Sequence, residues 1–312
     1  MTLPMRALAW IGSHARLTLA LGVAVAFLAP GVSTALRPML PVFVAVAFGL
    51  AMARIDLGEA ARASLRPAEA ARLLGVTLLL IPVSAALYAG LAVALGLGEG
   101  LTAALVLLGA APPIASSAGL CFLLGYDARR AVEVTVVASL LTPLLGPLAV
   151  AWLSPHGAAL DPLHLARDLG LILGGGLCFA LGLQAGLGAG RINRAARSFD
   201  GIAVLALISV VLPLFDGLRA QLLADPLRAA AVLVLACAMN LGPNFAMRLA
   251  FRPAGRRTAA AYGLLFGNRT IALYVAVMPY DADLTLFVAL YQAPILLGPL
   301  LLRPIRYDHT PN

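Results

Sequence analysis

Charge is scarce in this chain. Only 12% of its 312 residues are Asp, Glu, Lys or Arg, and lysine is missing altogether, so all 22 basic residues are arginine. A soluble domain carries about 25% charged residues. Here 62% of the residues are hydrophobic and the mean hydropathy is +0.96, which reads as an integral membrane protein. Cysteine is also rare: Cys121, Cys178 and Cys237 fall in apolar segments without CxxC or Cys/His spacing. They read as small buried hydrophobes, and no disulfide or metal framework is expected. The four histidines, His14, His156, His164 and His309, form no HExxH and have no paired carboxylate spacing. No Gly-rich loop leads into GK[ST]. Nothing here points to an enzyme or to a bound cofactor. The net charge of +8 comes from arginines that flank apolar runs, which orient membrane spans, so nucleic acid is not an expected partner.

What is present is hydrophobic length. Ten stretches are long or nearly long enough to cross a bilayer: 17–36, 39–54, 70–95, 101–124, 129–153, 165–188, 200–221, 227–248, 258–279 and 283–302. The run Ala7 to Ile11 ahead of them is too weakly apolar for a convincing cleavable signal. With an inward N-terminus, 17 arginines fall on the inner side: Arg6, Arg16, Arg54, Arg62, Arg66, Arg72, Arg129, Arg130, Arg191, Arg194, Arg197, Arg248, Arg252, Arg256, Arg257, Arg303 and Arg306. Only Arg37, Arg167, Arg219 and Arg228 fall outside. Both termini are therefore expected in the cytoplasm, with the protein in a bacterial inner membrane.

Two spans are interrupted. The fourth carries Pro112, Pro113, Ser116 and Ser117 in mid-membrane, and two adjacent prolines stop a helix. The ninth carries Gly267-Asn268-Arg269-Thr270, where poor helix formers precede an arginine at bilayer depth. Such a charge costs roughly 2.5–3.5 kcal/mol on insertion scales and implies a polar interior facing protein. Each interruption lies in the fourth span of a five-span half, and an odd number per half inverts the second. The expected fold is an all-α integral membrane protein of two inverted five-helix repeats, residues 1–155 and 156–312, whose broken fourth and ninth helices cross. Secondary transporters bind substrate at such crossings.

These residues resemble the bile acid:sodium symporter family. Ala110 to Pro147 is similar to its first crossing helix and following span, including the ending Ser139-Leu140-Leu141-Thr142-Pro143-Leu144-Leu145. Gly267 to Thr270 falls on the family's Glu-x-Gly-x-Gln-Asn segment, and Thr77 before Pro82 falls near a third-helix glutamine. The resemblance implies a panel of spans 1, 2, 6 and 7 rocking against a core of spans 3–5 and 8–10, with sodium at the crossing. Carried over position by position, Ser117 and Thr135 are kept, whereas Ala118, Ala131 and Leu265 replace an asparagine, a serine and the sodium-binding glutamate. Arg269 and Thr77 stand where the family has glutamines. A fixed guanidinium and a sodium ion a few ångströms apart repel by roughly 4 kcal/mol at an effective dielectric of 20, which argues against sodium.

Arg269 then reads as a permanent substitute for the cation. It can brace the crossing through Ser117, Thr135 or carbonyls opened near Pro112-Pro113, or it can face a small organic anion. Glu133 is the candidate proton carrier, but Arg129 and Arg130 at i−4 and i−3 favour an interfacial ion pair. Asn240 and Asn244 flank Pro243 and are expected to bond across helices or to freed carbonyls. Asp216 is expected at a solvated span end, and Tyr126, Tyr262 and Tyr280 in the interface belts. Function thus reads as alternating-access transport of a small organic anion. Alternatives are a proton-coupled or uncoupled exporter or uniporter, or a non-transporting membrane sensor. An arsenite exporter of the wider superfamily lacks its expected crossing cysteine here.

Overall fold

The computed structural model describes residues 3–55, 58, 62, 66–155, 161–301 and 305. Arg303, Arg306, His156 and His309 lie outside the described residues, as does the last residue of the tenth expected span. Among the described residues the fold is all-helical, with one isolated antiparallel bridge between Pro113 and Arg269.

The chain opens with α1 (Leu3–Ser13), α2 (Ala15–Leu28), α3 (Pro30–Leu36) and α4 (Leu40–Met52). Then α5 (Pro67–Leu78) passes through a wide turn at Leu79–Val83 into α6 (Ser84–Ala94). The first interrupted helix is α7 (Glu99–Ala110) with α8 (Ser117–Leu123), followed by α9 (Ala128–Leu153). After α10 (Pro162–Leu187), α11 (Ala189–Arg194), α12 (Ala196–Leu214), α13 (Leu218–Ala224) and α14 (Pro226–Ala250) comes the second interrupted helix, α15 (Arg256–Gly267) with α16 (Ala272–Val275). The last element is α17 (Ala282–Leu301).

Local sequence explains the helix starts. Asp161 and Asp225 cap α10 and α14 by accepting from Leu163 N–H and Arg228 N–H, and a proline takes the first helical position, where no N–H is needed. Asp127 caps α9 in the same way through Arg130 N–H at 3.0 Å. Pro82 removes a donor inside the third span, and the helix widens there by one residue.

By length and composition, six described helices can cross a membrane: Gly31–Met52, Pro67–Ala94, Ala128–Leu153, Pro162–Leu187, Ala196–Leu214 and Pro226–Ala250. Met5–Ser13 and Leu17–Leu28 make a seventh if counted as one span, although they meet at 88°. The chain is a multi-pass all-α membrane protein. Leu87, Leu144, Leu171 and Val234 stand exposed on its outside, while Arg269, Asn240 and Thr135 are buried. This arrangement suits hydrocarbon as solvent.

The first boundary differs from expectation. The loop expected at Arg37-Pro38 is a single 3₁₀ turn inside a continuous helix from residue 31 to 52, and the break lies at Ala29 instead. Pro30 explains the shift, because it restricts the residue before it and suits the first turn of the next helix. The weak run around Ala7 is also helical. It lies on α12, where Gly12 and Gly201 let the backbones touch. Gly49 and Gly176 do the same for α4 and α10, since a Cβ on Gly49 would reach 2.5 Å from the Gly176 carbonyl. Contacts thus group α1, α2, α4, α10 and α12 together; α5 to α9 join α14, α15 and α17 in a second group.

Candidate functional site

The two interrupted helices meet end to end. Both α7 and α15 stop in extended backbone, at Ala111 (ψ 148°) and Asn268 (ψ 100°). There the chains pair antiparallel around Pro113 and Arg269: Thr270 N–H donates to Pro112 O at 2.8 Å, and Ile114 N–H donates to Asn268 O at 3.0 Å. Pro113 and Arg269 are thus directly opposite in a non-hydrogen-bonded pair, where neither N–H is asked to donate. A proline fits this position at no cost, and Thr270 Oγ1 adds a bond to Pro113 O at 3.1 Å.

Breaking two helices inside a membrane leaves their last carbonyls unpaired. The site is built from the donors that answer them. Tyr274 Oη donates to Ala110 O at 3.0 Å, with Gly146 leaving room for the hydroxyl. Gly267 O accepts from Tyr291 Oη and from Asn240 Nδ2 (2.6 Å), and Asn240 Nδ2 also lies 2.9 Å from Asn268 Oδ1.

Arg269 completes the set. Its side chain is 1% exposed. Nη2 donates to Gly109 O and Leu80 O, and Nε reaches Leu108 O at 3.4 Å. Leu108 and Gly109 lie at the negative end of the α7 dipole. Leu80 O is free to accept because, in the widened turn before Pro82, Ser84 N–H bonds to Leu79 and Ile81 instead. No carboxylate pairs with Arg269 among the described residues. Its Nη1 has no partner, and the Phe266 ring lies 6.0 Å from the guanidinium. The cation therefore sits in a cage of backbone carbonyls that ties α7 and the third span to the second interrupted helix.

Other expected residues are placed differently. Ser117, Thr135 and Thr77 are buried, but their hydroxyls have no partner and none accepts from Arg269. Ser116 is exposed. Ala118, Ala131 and Leu265 are buried in one apolar cluster with Cys121. Arg269 therefore braces the crossing through carbonyls: Leu108 and Gly109 stand four residues before Pro112 and Pro113, which have no N–H to give them, and Leu80 comes from the third span. Tyr274 and Tyr291 carried no sequence signal beyond being tyrosines inside apolar helices.

Glu133 is 4% exposed and lies in an ionic network. Arg129 Nε donates to it at 3.0 Å and Arg130 Nη1 at 2.9 Å; Arg130 also reaches Glu69 at 2.7 Å, and Glu69 pairs with Arg72 at 3.2 Å. Glu69, Arg129, Arg130 and Glu133, with Arg66 and Asp127, line a cleft of about 320 Å³. We expect Glu133→Gln to keep the fold and lose about 1 kcal/mol, because Arg129 is largely exposed and Arg130 keeps Glu69. Thermal unfolding at two pH values checks this; a collapse of the pH dependence of ligand binding would instead mark a proton carrier.

Asp216 is bonded to Thr34 Oγ1 at 2.7 Å and lies 3.6 Å from Arg37, whose guanidinium stacks on Tyr280 at 4.5 Å. Among the three expected belt tyrosines only Tyr280 is exposed. Tyr126 and Tyr262 are buried, Tyr126 under Arg248 and Tyr262 against Phe251. The cysteines are free, but only Cys121 is buried; Cys178 is exposed and Cys237 part-buried. Asn244 is buried with its Oδ1 unpartnered. No family model matches this chain, and no curated protein matches it.

Proposed function

We propose that this protein is a secondary transporter of small organic anions, working by alternating access without sodium, with Arg269 as a built-in cation at the helix crossing. One observation carries the reading: the guanidinium fills a cage of carbonyls from Leu80, Leu108 and Gly109. Such a cage is what a mobile metal cation would need, and a covalently attached charge removes the need for one. In this reading the chain has ten spans in two inverted repeats, both ends in the cytoplasm of a bacterial cell, and the architecture of the bile acid:sodium symporter family. The two contact groups of helices supply its panel and core. Arg269 braces the core in place of the bound sodium, and the protein uses neither cofactor nor catalytic residue. The arginine bias around the helix ends supports the orientation.

Thermal unfolding of the purified protein against mono- and dicarboxylates and sulfonates, in sodium and in choline, tests this. At a hundred times its Kd a ligand adds about 2.7 kcal/mol, several degrees for a chain of this length. The expected result is stabilisation by an anion, equal in sodium and choline. Stabilisation by sodium alone, or by no anion at all, overturns the proposal.

A further inference from the structure

The ionic cleft beside Glu133 stands at a membrane surface. Two spans, Pro67–Ala94 and Ala128–Leu153, both begin there, so its depth is that of the lipid headgroups. It holds about 320 Å³, roughly ten times a water's share of liquid volume.

Donors and acceptors in the cleft do not balance. Three carboxylates line it, and each of their six oxygens already accepts: Glu69 from Arg72 and Arg130, Asp127 from Arg130 N–H and Thr258 Oγ1, Glu133 from Arg129 and Arg130. The arginines are not used up. Among the described residues Arg66 makes no hydrogen bond or ion pair, and Arg129 gives only its Nε, so both of its Nη groups are free. Both side chains are open to a ligand: Arg66 is exposed, and Arg129 is 69% exposed. With Arg72, four guanidiniums stand against three carboxylates, a net charge of +1. Free guanidinium forks and a positive balance call for an anion rich in acceptor oxygens, and a phosphate offers them in matching geometry.

The face of α9 that carries Arg129 then turns apolar. At ~100° and ~1.5 Å per residue, Leu140 lies roughly 20° around the helix from Arg129 and roughly 16 Å along it. Leu144 follows one turn later, and the two leucines are 58% and 61% exposed. A phosphate held by Arg66 and Arg129 therefore sits at the head of an open apolar strip. A phospholipid covers both parts, its phosphate at headgroup depth and its chain in the hydrocarbon.

We propose that this cleft binds the headgroup phosphate of a membrane phospholipid through Arg66 and Arg129, with one acyl chain along Leu140 and Leu144. The site is separate from the crossing and does not rest on the transport reading.

Delipidated full-length protein in a neutral detergent, titrated with dioctanoyl phosphatidylglycerol and followed by its melting temperature, tests this. A saturable rise is expected. Dioctanoylglycerol, which has the chains without the phosphate, and glycerol phosphate, which has the phosphate without the chains, should each be weaker by about tenfold or more. Arg66→Gln and Arg129→Gln should each raise the half-saturating lipid concentration about tenfold, the weight of one hydrogen bond to a charged group. Arg66→Gln removes no bond from the fold, so its unliganded melting temperature should match the parent's. Arg219→Gln makes the same charge change at an exposed position on α13 and should leave the titration unaltered. Dioctanoylglycerol as potent as the phospholipid would reduce the binding to chains on an apolar face, and equal potency of glycerol phosphate would mark a site for a soluble phosphate. Affinity unchanged in both cleft variants, or lost equally in Arg219→Gln, would place the lipid elsewhere. Any of these results overturns the proposal.

Discussion

Replacing Arg269 with leucine is expected to lower stability by about 2–4 kcal/mol, because buried carbonyls lose their donor at about 1–3 kcal/mol each. The reason lies in what stays behind. Leu80, Leu108 and Gly109 keep their carbonyls, which are backbone and cannot be mutated away. Leu108 O keeps the Ala111 N–H at 3.3 Å, but Leu80 O and Gly109 O lose their donor; each unpaired buried acceptor costs about 1–3 kcal/mol, and no water in the hydrocarbon region offers a replacement. Losing the buried guanidinium recovers its own desolvation cost, so the net effect is smaller than three lost bonds would suggest. Arg269→Lys keeps the charge and one multiple donor for Gly109 and Leu80 but loses the separate Nε that reaches Leu108 O. A loss of about 1–2 kcal/mol is expected for it, close to one hydrogen bond to a charged group. Thermal unfolding of both variants, followed through tryptophan emission, decides the matter. If Arg269 served only to meet a substrate, the leucine variant would fold as well as the parent and lose only binding.

That distinction could not be drawn from sequence, and the physical reason is specific. Pro112-Pro113 and Gly267-Asn268 announce two broken helices because proline and glycine act on the backbone locally, and both breaks lie within a residue or two of those signals. An arginine in a membrane span is equally plain. What it bonds to is not, because its acceptors are main-chain carbonyls, which every residue type possesses. Ser117 and Thr135 looked like acceptors only because side-chain oxygens are visible in a sequence; in the structure both hydroxyls are left without a partner. Tyr274 and Tyr291 were hidden for the opposite reason. A tyrosine in an apolar run reads as core or interface, and only the fold brings its hydroxyl to a helix end. The continuous helix 31–52 is not legible because Arg37-Pro38 looks like a loop, whereas the chain takes Pro38 into a single 3₁₀ turn and continues as helix on both sides.

Gly109→Ala is expected to be nearly as damaging as the loss of Arg269, although it adds a single methyl group. Its Cβ would lie 2.5 Å from Ala85 Cα and 2.6 Å from Ala85 N, backbone atoms that no rotamer change can clear. Overpacking of this kind costs about 1–3 kcal/mol. Here a second cost follows, because moving α7 away from α6 drags the Gly109 carbonyl from Arg269 Nη2. Gly90 provides the control, since it is exposed on α6 with nothing within 4 Å of its would-be Cβ. Alanine there should be neutral or stabilising by up to about 1 kcal/mol, the helix preference of alanine over glycine. The second half repeats the geometry: a Cβ on Gly267 would lie 2.5 Å from Asn240 O, beside the side chain that caps Gly267 O. Gly267→Ala should therefore fail as Gly109→Ala does. Because Gly109 and Arg269 share one bond, their losses should not add. The double variant Gly109→Ala, Arg269→Leu is expected to fall short of the sum by 0.5 kcal/mol or more, about the lower bound for residues in one network. Strict additivity would mean that the glycine serves only helix contact and that Arg269 is held elsewhere.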